Sequence, residues 1–325
     1  MRQLGSNLHD GVNGVTECPI PPNGGKRTYV FRATQYGSSW YHSHFSAQYG
    51  NGIVGTMQIN GPASLPYDVD LGVFPITDYY YDTADDIVEF TKNNGPPQSD
   101  NILFNGTNVH PVTGVGKYAK VVLQKGKRHL LRIINNSVDN GFTVSLVGHT
   151  MTIVGSDLVP VNSFTTDSIF LGVGQRYDVT IDASQAVGNY WFNVTFGGNQ
   201  LCGISKNLFP AAIFSYETAP NTLPTNKGNP PTEYNCYDNL NLTPVVTQTV
   251  PTNTFTPSPS NKLDVHLDSS PDQLFVWKIN SHSINVNWEK PVAQYVMDGN
   301  TSYSADDNLV MLTSVNQVSC ISIRL

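Results

Sequence analysis

The 325-residue sequence predicts an all-β protein assembled from β-sandwich domains. Three observations carry that expectation. Short segments rich in β-branched and aromatic residues recur along the chain, Gly, Pro, Asn and Asp separate them at short intervals, and a single stretch has the marks of a helix.

Taken in order, the strand segments are "KRTYVFRA" (26–33), "GIVGTMQIN" (52–60), "GVFPITDYYY" (72–81), "KYAKVVLQKG" (117–126), "HLLRIINNS" (129–137), "FTVSLVGHTMTIVG" (142–155), "RYDVTIDAS" (176–184), "NYWFNVTF" (189–196) and "PAAIFSYE" (210–217). The helix falls at "TADDIVEFTKN" (83–93), where Thr83 can cap and Asp85 and Asp86 suit the first turn. Pro, Thr and Asn crowd 217–235 and 242–262, a composition that disfavours sheet pairing and suits a long surface connection. A weaker boundary lies at "NGPASLPYDVD" (60–70). The expected division is a short first piece (1–61), a middle sandwich (62–244), and a linker with the incomplete start of a third sandwich (245–325).

Charge and apolar content exclude two partner classes. The formal charge is −7 with only 18 Lys and Arg, so no basic surface is available to gather phosphates, and nucleic acid is not an expected partner. No apolar run approaches membrane-spanning length. Met1 is followed at once by Arg, Gln and Leu4 with no apolar core, so no signal peptide is read here, and the chain is expected to be cytosolic or to lack its start. Four cysteines, Cys18, Cys202, Cys236 and Cys320, suit a large secreted protein with one or two bridges. Sequons at Asn105, Asn135, Asn193, Asn241 and Asn300 point the same way.

The stretch "QYGSSWYHSHFS" (35–46) is the clearest chemical signal. In an extended segment residues two apart share a face, so His42 and His44 can reach one site. Two imidazoles alone make a weak, unselective chelate, and spacing by itself identifies no metal. His9, His110, His129, His149, His266 and His282 fall in no second His-x-His arrangement and are expected to be surface or hydrogen-bonded residues.

Taken together, "RQLGSNLHDGVNGVTECPIPPNGG" (2–25), "WYHSHFSAQYGNGIVGTMQINGP" (40–62), "GVFPITDYYY", "VGQRYDVTIDAS" (173–184) and "YWFNVTFGG" (190–198) resemble the ascomycete laccases, which are multicopper oxidases. The resemblance covers about residues 2–317. It implies cupredoxin-like Greek-key β-sandwich domains: the end of the first, all of the second, and the opening strands of the third. It implies copper, four ions in a complete enzyme, with His42 and His44 as ligands of the paired coppers in a trinuclear cluster. The family's other three His-rich segments do not occur in residues 1–325, so these residues alone are expected to be inactive.

Further roles follow from the same resemblance. Asp10 in "LHDG" matches a carboxylate that assists proton delivery to oxygen, although Asp-Gly by itself reads as a turn. Asp139 in "NNSVDNGF" falls where a carboxylate contacts the phenolic substrate. Pro96, Leu201, Phe275 and Trp277 match the apolar rim of the substrate pocket, while the alternation in "LFVWKIN" (274–280) also allows Phe275 and Trp277 to be core. Cys202 and Cys236 match a family disulfide, Cys18 matches a cysteine whose partner lies far toward the C-terminus, and Cys320 has no counterpart. The implied partners are small phenols and O₂, the implied state a monomer, and the implied location of the complete protein extracellular. The alternative is a non-catalytic secreted β-sandwich, either a remnant or an incomplete gene model of a laccase.

Overall fold

The computed structural model describes residues 5–197, 202–229, 236–238, 241–247, 249, 262–270, 273–310 and 322–324. The first piece contributes β1 (Gly37–His42) and β2 (Val54–Ile59), an antiparallel pair in which Gly37 faces Ile59 and His42 faces Val54. Next come β3 (Val69–Tyr79), α1 (Ala84–Asn94), β4 (Asn101–Phe104), β5 (Lys120–Leu123), β6 (Arg128–Asn135), β7 (Phe142–Leu146), β8 (Met151–Ser156), β9 (Val159–Thr166), β10 (Ser168–Leu171), β11 (Arg176–Asp182), β12 (Asn189–Thr195) and β13 (Ala211–Tyr216). Beyond them lie β14 (Lys262–Ser270), β15 (Gln273–Ile279), α2 (Val292–Met297) and β16 (Ser322–Arg324).

The middle region forms two sheets, one ordered β10-β7-β12-β13-β5 and the other β4-β3-β6-β11-β8-β9. Alternate side chains of both meet in one core that includes Ile76, Phe104, Ile133, Phe142, Val179 and Phe214. Phe192 stacks on Phe214 at 5.0 Å, and Phe74 meets both edge-on, the offset geometry that aromatic quadrupoles favour. A three-stranded sheet, β15-β14-β16, forms apart from these two.

Three sequence expectations change. The stretch 26–33 forms no strand: none of the described strands pairs with it, and its backbone cannot close a ladder alone. It lies over the preceding loop instead, where Arg27 pairs with Glu17 at 3.1 Å. The stretch 142–155 is two strands, β7 and β8, in different sheets; Gly148 at φ 75° turns the chain between them. A second helix, α2, starts behind Pro291. The helix at 83–93 is present as α1, with the Thr83 hydroxyl accepting from the Asp86 amide at 3.2 Å.

Strand β6 is buried along nearly its whole length, because the sandwich core covers one face and the β1–β2 pair lies over the other. On that outer face Arg132 donates to Asp70 of β3 at 2.9 Å and to Asp178 of β11 at 3.1 Å. Asp178 also accepts from the Ser38 hydroxyl of β1. Burial, the largest influence, raises the Asp178 carboxyl despite these partners. The side chain of Arg132 is 6% exposed, so its loss strands a poorly hydrated carboxylate. Arg132→Ala is therefore expected to destabilise the chain by about 3 kcal/mol, read from urea unfolding; a change below about 1 kcal/mol would show that the network does not hold the two parts together.

His129 is fully buried, and its Nε2 accepts from the Gln124 amide at 2.9 Å. His149 is buried, with its ring nitrogens 3.0 Å from the Val147 carbonyl and 2.9 Å from the Tyr216 hydroxyl. Burial lowers the pKa of both rings below the usual histidine value. The folded state therefore binds these protons less readily than the unfolded chain. The stability that the neutral rings contribute is full above about pH 6.5 and is lost as pH falls through the unfolded value toward the folded ones. His129→Gln is expected to flatten the pH dependence of thermal unfolding between about pH 6.5 and 5, and an unaltered slope would count against this account.

Candidate metal centre and substrate cavity

Strand β1 ends at His42, and His44 follows two residues on. Both are exposed, with ring centroids 5.7 Å apart and planes 29° from parallel. Trp40, two residues earlier, stacks on His42 at 4.6 Å and Tyr49 packs against it at 4.6 Å, so His42 is held between two aromatic rings. The Nδ1 atom of His42 lies 2.9 Å from the Ser43 carbonyl oxygen. A carbonyl only accepts, so Nδ1 carries the proton and Nε2 keeps its lone pair. That tautomer leaves Nε2 able to bind a metal. The pair fits two imidazole donors of a copper site; among the described residues no group of three or more His, Cys, Asp or Glu is placed to hold a metal.

The two histidines open onto a cavity of about 570 Å³ that Asp10 also lines. Asp10 closes the single 3₁₀ turn Asn7–His9, and Gly11 follows at φ 83° with the Tyr29 ring 3.1 Å from the point a Cβ would occupy. The same turn brings Asp10 to the histidine cavity, so the turn and the functional placement coexist. Glu17 and Tyr29 line an adjoining cavity of about 720 Å³ with His42 and His44. The Tyr29 hydroxyl donates to Glu17, and burial followed by that contact pushes its pKa up to about 12.

A third cavity, of about 270 Å³, lies between α1 and the 138–139 segment. Ile87, Val88, Pro96 and Pro97 give it an apolar wall, while Asp139, Tyr80 and Tyr49 are its titratable groups. Asp139 is exposed, yet the protein crowding its carboxyl, followed by the charge of Asp78, holds it above the usual carboxylate range. Pro96 and Asp139 thus share one cavity. Trp277 does not line it: it lies on β15, the strand beside α1, and is 64% exposed, so it is not core either. Phe275 lies on the same strand, its side chain outside the described residues, and Leu201 and Cys320 also lie outside them.

Cys202 and Cys236 form a disulfide with Cα atoms 5.4 Å apart, and Cys18 is exposed and free. Among the sequons, Asn135 and Asn193 are closed to a glycan. Asn135 is fully buried and donates to the Asn140 and Leu171 carbonyls, and Asn193 sits 7% exposed in β12, bonded to the Lys227 carbonyl. The tripeptide pattern carries no information on burial. Asn105 and Asn241 are exposed and Asn300 is half-buried. Glu17, Tyr29, Tyr49, Asp78 and Tyr80 bear on the cavities and escaped the sequence reading. The only trace of Asp78 in the sequence is an isolated carboxylate within an otherwise apolar and aromatic strand, "VFPITDYYY".

The two packed sheets form a cupredoxin-like sandwich, and comparison with known proteins supplies the class. Multicopper oxidase family profiles match residues 1–64 and 70–219. The chain is 63% identical to Laccase-1 of Melanocarpus albomyces, over 98% of this chain and 51% of that protein. It is 43% identical to Laccase-3 of Botryotinia fuckeliana, over 98% of this chain and 70% of that one. The crystal structure of a laccase from Botrytis aclada superposes with a TM-score of 0.85 at 35% identity, over 94% of this chain and 57% of that one. The chain belongs to the multicopper oxidase family. It spans about half the length of several of the curated laccases it matches.

Replacing His42 or His44 by Ala is expected to lower Cu²⁺ affinity by at least about tenfold, measured by calorimetry or electron paramagnetic resonance on the 325-residue chain. Copper binding unaltered in both variants would remove the pair from the metal site.

Proposed function

We propose that this chain is part of a laccase-type enzyme, which takes single electrons from diphenols and related aromatics and reduces O₂ to water. The observation that carries the reading is the separation of two sites: an imidazole pair with a nearby carboxylate, and an apolar cavity with one carboxylate at its rim. The assignment of residues 1–61, 62–244 and 245–325 to the end of a first cupredoxin domain, a second, and the start of a third belongs to the same proposal.

Copper, four ions in the complete enzyme, supplies reversible one-electron transfer and oxygen chemistry when bound. His42 and His44 would hold it through imidazole nitrogens. Asp10 is positioned to supply protons where reduced oxygen gains negative charge. At the other site Ile87, Val88 and Pro96 receive an aromatic ring, and Asp139 accepts the phenolic proton as the electron leaves. Its raised pKa makes it a stronger base than an ordinary carboxylate, and it must be ionised to act. By the resemblance alone, Leu201, Phe275 and Trp277 would belong to the rim of the substrate pocket. The partners are small phenols and O₂, the protein a secreted monomer, and Asn105, Asn241 and Asn300 the glycan sites. Among the described residues no helix is long and apolar enough to cross a membrane.

In the complete protein, His42→Ala or His44→Ala is expected to abolish O₂ consumption. Asp139→Ala is expected to lower kcat/KM for a phenol by about a hundredfold while leaving a non-phenolic dye within about twofold, with steady-state rates on the two donors as the measurement. Equal losses on both would reject the role of Asp139.

A further inference from the structure

We infer that Asp78 is the positioning residue of the phenol cavity: its carboxylate holds residues 138–140 and thereby fixes where the carboxyl of Asp139 stands. The inference rests on the reading of Asp139 proposed above and adds to it the group that sets its geometry.

Asp78, near the end of β3, is 6% exposed. Its Oδ1 accepts from the Val138 amide at 2.9 Å. Its Oδ2 accepts from the Asp139 amide at 3.0 Å, the Asn140 amide at 3.1 Å and the Asn140 side-chain amide at 2.9 Å. Four N–H groups converge on one carboxylate, which has about four lone-pair sites. Both oxygens therefore serve as acceptors facing donor groups, an arrangement that suits a carboxylate. Such charge-assisted bonds are stronger than neutral ones. The backbone amide of Asp78 in turn donates to the Ser137 hydroxyl at 2.9 Å, so strand and loop grip each other from both sides.

The loop is also tied from behind. The Asn140 side-chain oxygen accepts from the Ile204 amide at 2.7 Å, and the Gly141 amide donates to the Cys202 carbonyl at 2.7 Å, beside the disulfide. The bond from Gly141 fixes the far end of the segment and Ile76 and Tyr49 hold residues 136–137, which leaves to Asp78 the Val138 and Asp139 amides beside the cavity. The wall that α1 presents there, Ala84, Ile87, Val88 and Thr91, is uncharged. Tyr80 and Tyr49 line the cavity with Asp139, and Asp78 is the side chain whose charge acts on it. One side chain both places Asp139 and disfavours its ionised form.

Asp78→Asn is the informative variant, because the amide nitrogen turns a donor toward groups that are themselves donors. On the 325-residue chain, amide hydrogen exchange at Val138, Asp139 and Asn140 is expected to quicken by about ten- to a hundredfold, with β6 and α1 unaffected. NMR titration, with Asp139→Asn identifying the signal, is expected to show the Asp139 midpoint moving down toward the ordinary carboxylate value. Asp78→Glu keeps the charge on a longer arm, and is expected to quicken exchange while leaving the Asp139 midpoint raised. A folded Asp78→Asn chain with unaltered exchange and midpoint overturns the inference. If neither variant folds, the wild type decides: slow exchange at all three amides supports the cradle, and exchange as fast as in an unstructured peptide overturns it. None of these readouts depends on turnover. Failure of Asp139 in phenol oxidation would therefore leave them standing, and their failure would leave the donor comparison in the complete protein intact.

Discussion

The guanidinium of Arg132 is the junction on which the arrangement of this chain depends. It reaches carboxylates on the two strands that flank its own, and one of them, Asp178, is also held by Ser38 of the first piece. A charge so deeply placed is costly to desolvate, and burial raises the Asp178 carboxyl, so no member of the network is favourable there by itself. Its value is geometric. Ser38 lies four residues before His42 on the same short strand, so the contact that seats β1 on the sandwich also sets the direction in which the two imidazoles point.

A second constraint joins the two candidate sites. The ring of Tyr49 packs against His42, while its hydroxyl donates toward the Asn136 and Ser137 carbonyls at the start of the segment that Asp78 cradles. Nearby, Asn51 accepts from the Ala84 amide at 2.8 Å and donates to Asp85 at 3.0 Å, so the loop after the histidines also caps the helix that walls the phenol cavity. Burial, followed by the charge of Asp78, raises the Tyr49 phenol above its ordinary pKa, which keeps its hydroxyl a donor. Histidine loop, helix and cavity segment are thus joined by hydrogen bonds and ring contacts into one patch.

Much of this was legible in the sequence, for identifiable reasons. The α1 helix has its cap, acidic first turn and terminal Gly95 within a short stretch of chain, all local signals. Strands such as β6 and β12 have runs of β-branched and aromatic residues that survive any register. What failed was non-local. Residues 26–33 have strand composition but no paired strand, and 142–155 reads as one strand because a single Gly148 is a weak mark of a change of sheet. The His-x-His spacing announced a shared face, while the identity of its metal came from resemblance. Asp78 was invisible because its importance lies in amides sixty residues away, which carry no side-chain signature.

The separation of Ser38 from Asp178 by 140 residues has a bearing on how the chain is made. On a ribosome the segment bearing His42 and His44 emerges well before β6 and β11, and long-range pairing must wait for its later partner. Until then the contact of Ser38 with Asp178 is not available to seat β1 on the sandwich. Synthesis of β6 and β11 is therefore the earliest point at which the Arg132 network can close and Ser38 can take its place on the middle sandwich.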